Sequence, residues 1–313
     1  MGEVDPAYLE TLRAAIVTAA SRAWADLRDA VFSHAARTIE PIGHNRRNHS
    51  FHPIDPQLNV AIFTRDDRTL YLANYAVHPI ARLAAHAASA DMTGEFVKAL
   101  TARGHQGLFF QGFCGDINPV SLFDRWEPEE PRYFGEILAK RALDAADRAV
   151  TPETVAIRAI ERRVRLPLRV LSPAEIDAEA RRSLDKDKFS GNERFTAWWH
   201  AEALRRETLL RDHPYLEVPV QAIALGDLKI LGLPGEIFNS YGTRLREQRA
   251  PLFTFGYANG NVGYFPTRDA FADPNDYAAH CAPKFYAIFP FTPEIEDVVL
   301  AECGQLLNQI AGS

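Results

Sequence analysis

Cysteine is scarce, with three residues in 313 (Cys114, Cys281 and Cys303) and no Cys-x-x-Cys spacing. That excludes a disulfide framework and makes a reducing compartment the default expectation. Long apolar runs are missing as well: nothing approaches the roughly 18 residues needed to cross a bilayer. There is no excess of positive charge, because 35 Lys and Arg face 41 Asp and Glu for a net charge of −6. Such a balance argues against a nucleic-acid surface or a polybasic membrane anchor. The basic clusters RRETLLR and ERRVRLPLR have no aromatic interleaving and read as solvated faces. The opening MGEVDPAYLETLRAAI lacks the basic-then-apolar order of a signal peptide, so a cytoplasmic location is expected. Repeats, low-complexity tracts and Pro/Gly-rich linkers are absent too. With 47% apolar and 24% charged residues, the chain 1–313 reads as one globular domain.

Periodicity fills that domain with alternating elements. Asp5-Pro6 starts a helix, and Leu9, Leu12, Ile16, Ala19, Ala23 and Leu27 extend its apolar stripe to about Val31. A polar, histidine-bearing stretch, Glu40 to Asp55, shows no period. Leu58–Phe63 and Leu70–Val77 read as a hairpin closed by RDDRT. Met92–Arg103 is a short helix, Gly107–Gln111 a buried-type strand and Glu129–Val150 a second long helix. A strand near Val155–Leu166 leads to a charged helical insertion at about 172–212. Val218–Leu225 and Leu228–Leu233 form a hairpin across Gly226-Asp227. Gly235–Arg249 reads as helix, Leu252–Tyr257 as strand and Thr292–Ile310 as the closing helix. The expectation is an α/β fold with mixed sheets and flanking helices.

Several strand ends carry polar residues that could do chemistry. Asn74-Tyr75-Ala76-Val77-His78-Pro79 ends an apolar strand on a histidine, which alone is as well explained by the core. Ser89-Ala90-Asp91-Met92-Thr93-Gly94 precedes a helix, with Asp91 a natural N-cap and Glu95 near the capping-box position. Gln111-Gly112-Phe113-Cys114-Gly115-Asp116-Ile117-Asn118-Pro119 follows a strand, and its glycines permit close backbone approach to a ligand or positive φ. Cys114 reads as a small space-filler; as a nucleophile it would need a histidine that the sequence does not place. Glu236 in Leu233-Pro234-Gly235-Glu236 either meets a helix dipole or serves as metal ligand or base. The Asn/Gly-rich run from Asn259 to Thr267 fixes Tyr264 on a constrained turn, with Tyr277 within reach. Successive strand ends thus deliver His, Gly/Asp/Asn, Glu and Tyr, as a catalytic site in an α/β protein requires.

These segments, in this order and with Asn45-Arg46-Arg47 ahead of them, resemble the neutral (non-lysosomal) ceramidase family, zinc-dependent hydrolases of the amide bond in N-acyl sphingoid bases. The resemblance is carried by AVHP, S-x-D-x-x-G, G-D-I-N-P, P-G-E and Y-x-P-T, and it spans most of the chain. It implies a ceramidase-like catalytic domain holding zinc (Zn2+) through His78, Glu236 and Tyr264. It also implies Arg46, Asp91 and Tyr277 as catalytic residues, and Ser89, Gly112, Cys114, Asp116 and Asn118 beside the substrate. Elementary chemistry agrees: zinc activates water and polarises an amide carbonyl, and an Arg or Tyr stabilises the oxyanion. The family's His-x-His segment, the source of one more zinc ligand, has no counterpart ahead of Asp5. His44, His49 and His52 are the available substitutes. The family's C-terminal β-sandwich has no room after the closing helix. The expected partner is therefore a small amide or a lipid-like one, cleaved by an N-terminally shortened relative. The competing expectation is a degenerate relative that binds an amphipathic ligand without turnover.

Overall fold

The structure, a computed structural model, describes residues 5–82, 88–120, 130–186 and 193–312. Asp5 caps the first helix, α1 (Pro6–Ala25), by accepting from the amides of Ala7 and Tyr8, and Pro6 occupies its first position. The helix stops six residues before Val31. Arg65 holds Asp26 by its carbonyl and its carboxylate, and Val31 already begins strand β1 (Val31–Thr38). Eight residues of pairing with β3 (Gln57–Thr64) outweigh another helical turn. No residue of α1 is buried, so the apolar stripe read from the sequence does not face the core described here.

Two four-stranded mixed sheets make up the body. The first has the order β1-β3-β4-β5, with β4 at Thr69–Tyr75 and β5 at Gln106–Gln111. β3 and β4 form the expected antiparallel hairpin, and β5 adds parallel to β4. β5 is an edge strand, not a buried one: Leu108 is 47% exposed. Helices α2 (Asp91–Thr101) and α3 (Glu130–Ala146) cover one face of this sheet. Glu129, where the sequence starts the second long helix, lies outside the described residues. The second sheet runs β11-β9-β8-β7, from β7 (Ile157–Pro167), β8 (Tyr215–Leu225), β9 (Leu228–Gly232) and β11 (Leu252–Phe255). The β8–β9 hairpin turns on Gly226 at φ +60°, and β11 lies parallel to β9. Helix α7 (Ile295–Gly312) packs on its outer face. Between β7 and β8 lie α4 (Pro173–Lys186) and α5 (Glu193–Leu210), where a helical excursion is expected; its residues 187–192 fall outside the described set.

Alternation along the strands explains why the two sheets stack. In β3, Leu58, Val60 and Ile62 point to the α2–α3 layer, whereas Ala61 and Phe63 point to the second sheet. There they meet Phe32, Leu228, Ile230 and Phe253 in a separate apolar seam. Phe110 and Phe255 stack across it with ring centroids 4.5 Å apart. β3 is therefore apolar on both faces, and the order of layers is helix, sheet, sheet, helix. Two short ribbons complete the architecture: β2 (Gly43–Asn45) with β6 (Ile117–Pro119), and β10 (Glu236–Ile237) with β12 (Tyr264–Phe265). The helix read over Gly235–Arg249 is shorter than expected. Glu236 and Ile237 belong to the β10 bridge, and α6 spans only Asn239–Arg246.

One buried side chain bonds the sheets directly. Asn74 Nδ2 donates to the carbonyls of Phe110 (3.0 Å) and Thr254 (2.9 Å), and its Oδ1 accepts from Asn59 (3.1 Å). Asn74→Ala removes three buried bonds and orphans their partners. We expect about 3 kcal/mol lower stability by urea denaturation, and a loss under about 1 kcal/mol would contradict this account.

Candidate active site

The carboxyl ends of the parallel pairs β4–β5 and β9–β11 meet at one place, the usual location for ligand sites in α/β sheets. Backbone hydrogen bonds lace the exiting segments together. Gly112 N donates to Tyr75 O (2.9 Å), Gly256 N to Gln111 O (3.0 Å), Tyr257 N to Gly235 O (3.0 Å) and Gly115 N to Ile237 O (2.7 Å). Gly115 permits the last of these, since a Cβ there would overlap the Glu236 carbonyl. The glycines of this turn thus serve approach to neighbouring chain. At Gly112 a Cβ would lie 2.9 Å from Tyr75 and Ala76 backbone atoms, so this glycine lets the exit of β5 pass close to the end of β4.

The lacing brings His78, Glu236 and Tyr264 together, as expected from the sequence. His78 Nε2 lies 3.6 Å from Glu236 Oε2 and 3.4 Å from Gly115 O. The Tyr264 ring centre lies 6.4 Å from that of His78, and Glu236 and Arg46 are the charged neighbours of its phenol. Burial, reinforced by nearby Arg46, depresses the His78 pKa to about 3, leaving the imidazole neutral. Glu236 sits in the β10 bridge, so the helix-dipole explanation of this residue does not apply. Arg46 is held by its own amide on Asp116 O (2.9 Å), and its guanidinium lies 5.1 Å from the Tyr264 ring centre and 5.7 Å from that of Tyr277. Burial opposes its charge, but Tyr264, Glu236 and Asp116 keep it more firmly protonated than usual.

Two tyrosines that the sequence reading did not single out complete the centre. Tyr257 OH lies 3.2 Å from Glu236 Oε2 and 3.3 Å from His78 Nδ1. Tyr286 OH bonds the other carboxylate oxygen of Glu236. Burial raises the pKa of both phenols, and of Tyr264 as well, so all three stay protonated. Tyr257 adopts φ +56°, a left-handed conformation unusual for a bulky residue and a recurrent mark of functional sites. Its neighbours Gly256, Asn259 and Gly260 carried the turn signal, and reading Tyr257 as the strand's last residue concealed it. Tyr286 reaches the site because Gly263, at φ +100°, leaves its ring room.

The remaining expected residues divide. Asp116 is buried and accepts from Asn239 N (2.7 Å) and Asn45 Nδ2 (3.0 Å), a clamp between the β2, β6 and α6 segments. Burial raises its pKa. Cys114 Sγ lies 3.7 Å from His78 Nδ1, so the histidine partner missing from the sequence reading does exist. Burial, then Glu236, pushes the thiol up, away from thiolate. Ser89 and Asp91 form a local knot instead. Asp91 is the first residue of α2 and not its cap, at φ +49°; it donates its amide to Ser89 Oγ (2.9 Å) and accepts from Arg82 N (2.9 Å). None of these bonds reaches His78, Glu236 or Tyr264. Beyond Arg46, a recess of about 520 Å³ is lined by His44, His49, Asn118 and Tyr277, among others. The His44 and His49 rings stack there at 6.3 Å, and His52 is exposed.

The donors at the centre suit a cation in kind. His78 and Glu236, with 3.6 Å between Nε2 and Oε2, would be the residues to hold it. With the Tyr257 proton on Glu236, a proton on His78 Nδ1 would be donated to the phenol oxygen and leave Nε2 as the basic nitrogen. The contact of Nε2 with the Gly115 carbonyl calls instead for the proton on Nε2. Among the described residues no three His, Cys, Asp or Glu side chains are grouped to hold a metal.

No family model and no curated protein matches the sequence. The fold, however, is similar to that of a neutral ceramidase from Pseudomonas aeruginosa seen in a crystal structure, with TM-score 0.67 and 19% identity over 95% of this chain and 55% of that one. It is similar also to a ceramidase complexed with C2, with TM-score 0.66 and 16% identity over 93% of this chain and 55% of that one. The chain spans about half the length of these structures. The mixed-sheet α/β fold is therefore ceramidase-like, as the sequence motifs imply. No helix among the described residues is long and apolar enough to cross a membrane.

The buried thiol gives a direct check of the geometry. Cys114 should resist a thiol-reactive chromophore in the native protein at pH 8 and react only on unfolding, together with Cys303, which is equally buried. Rapid native labelling of Cys114, located by peptide mapping, would contradict the packing described.

Proposed function

We propose that the protein hydrolyses linear amides at the His78–Glu236–Tyr264–Arg46 centre, with zinc as its metal. One observation supports this above others: a neutral imidazole and a carboxylate face each other at 3.6 Å, with a buried guanidinium alongside. The ceramidase-like fold favours an amide as the bond attacked, whether in an N-acyl sphingoid base or a smaller N-acyl compound.

In this reading His78, Glu236 and Tyr264 hold the metal. When bound, zinc supplies water activation near neutral pH and polarisation of the carbonyl. The chain's own residues do the rest. Arg46, fixed by its amide and by Tyr264, faces the recess and steadies negative charge on the carbonyl oxygen in the transition state. Tyr277, 39% exposed beside Arg46, orients the substrate at the entrance. Tyr257 and Tyr286 each bond one oxygen of Glu236, which fixes the carboxylate plane and leaves no room for bulk water behind it.

A second reading, an amide-binding protein without turnover, is favoured by one feature. Both carboxylate oxygens of Glu236 already accept from phenols, and the usual third nitrogen, sulfur or carboxylate donor is not grouped with them among the described residues. Metal analysis with assay of short-chain N-acyl amides separates the two readings. Hydrolysis requires about one zinc per chain, and Glu236→Gln or His78→Ala should lower kcat/KM by more than about a hundredfold and release the metal. Activity undiminished in both variants would exclude this centre.

A further inference from the structure

The stretch from Asp276 to Tyr286 is tethered at both ends and meets the reaction centre on the way. Two single turns of helix, Tyr277–Cys281 and Ala282–Lys284, form most of it. At its start Asp276 accepts from Ala279 N (3.0 Å) and from Arg47 Nε (2.7 Å). At its end Pro283 O accepts from Tyr286 N (3.2 Å) and Ile288 N (3.1 Å), and Lys284 O accepts from Ala287 N (3.2 Å). Residues 283–288 therefore turn as one stiff unit, with Ala287 at φ +52° reversing the chain. Three consecutive side chains leave this unit for two destinations. Lys284, only 8% exposed, pairs with Glu179 of α4, and its ammonium lies 5.4 Å from the ring centre of Trp199 in α5. Phe285 stacks on Phe195 of α5 with centroids 5.0 Å apart. Tyr286, the next residue, bonds Glu236 at the centre.

We propose that Lys284 is a positioning residue for the reaction: its ion pair with Glu179 docks the turn 283–288 on the α4–α5 insertion and so holds Tyr286 on Glu236. The inference rests on the reading of the centre as an amide hydrolase, and it gives the insertion a part in that chemistry. An ammonium this far from water is costly to keep, and an apolar side chain of similar length would fill the same space without that cost. What the charge adds is direction. Stacked rings tolerate lateral offset, so the Phe285–Phe195 contact fixes the distance of the turn from α5 and leaves its orientation to the ion pair. Glu179 also pairs with Arg182, so removing the Lys284 charge does not leave that carboxylate alone. The lysine is thus separable from the folding of the insertion, and its effect on the centre passes through Tyr286.

The test is a double-mutant cycle on the zinc-loaded full chain with a short-chain N-acyl amide. Lys284→Met should lower kcat about tenfold with KM little changed, because Tyr286 steadies Glu236 and does not meet the substrate. Glu179→Gln, made from the insertion side, should lower kcat as well, whereas Lys284→Arg, which keeps the charge, should stay within about threefold of the parent. In a Tyr286→Phe background Lys284→Met should cost less than about a further twofold. Chelator competition should show zinc held about tenfold more weakly in Lys284→Met and in Tyr286→Phe alike. Unchanged kcat and zinc affinity in Lys284→Met, an equal loss in Lys284→Arg, or a full further tenfold loss in the Tyr286→Phe background overturns the proposal. If the parent cleaves no amide, the hydrolase reading fails, and the cycle is read instead in urea unfolding constants. Coupling of about fivefold or more between Lys284→Met and Tyr286→Phe then upholds the docking of Tyr286 through Lys284, and independent effects reject it.

Discussion

Everything at the centre depends on how closely the exit of β5 approaches the exit of β9. The amide of Gly115 donates to the carbonyl of Ile237 at 2.7 Å, and only a residue without a side chain permits that distance. This bond sets Glu236 opposite His78, because each is one short step from a backbone already pinned. Asp116, the next residue, then accepts from the amide that opens α6 and from Asn45, so the segment bearing Arg46 is fixed to the same point. A single turn thereby positions an imidazole, a carboxylate and a guanidinium whose parent segments are far apart in sequence.

Hydroxyl groups dominate what surrounds that carboxylate. Tyr257 and Tyr286 hydrogen-bond to Glu236 and Tyr264 stands beside it, from three separate segments. Each phenol is kept protonated by burial, so each acts as a donor of fixed direction. Such a ring holds a carboxylate in one rotamer without adding a second charge. It also means that binding of a metal would have to share Glu236 with donors already in place.

Much of this was legible in the chain. β-rich apolar runs located the β3–β4 and β8–β9 hairpins, and the turns RDDRT and Gly226-Asp227 closed them. The motifs around His78, Glu236 and Tyr264 named the side chains that meet. Pairing partners were not legible: beyond Val31, where the first helix was expected to end, β1 carried no assignment because its eight residues gain order only against β3. Glu236 read as helical since Pro-Gly-Glu also fits a helix start, and only the bridge to Tyr264 decides otherwise. Asp91 satisfied every local rule for a cap, yet it is the helix's first residue, and its carboxylate accepts from the amides of Met92 and Arg82. Tyr257 and Tyr286 escaped notice because a single tyrosine carries no periodic signal, and their importance is created entirely by where the chain returns.

The seam between the two sheets carries a consequence of its own. His78 and Cys114 hang from the first sheet, whereas Glu236 and Tyr257 hang from the second, and Phe110 against Phe255 lies between them. Any sliding of one layer over the other is therefore read out directly as a change in the separation of imidazole and carboxylate. The aromatic packing of the seam acts as a ruler for the His78–Glu236 pair, and natural variation in those stacked rings would shift the pair without touching a single polar group.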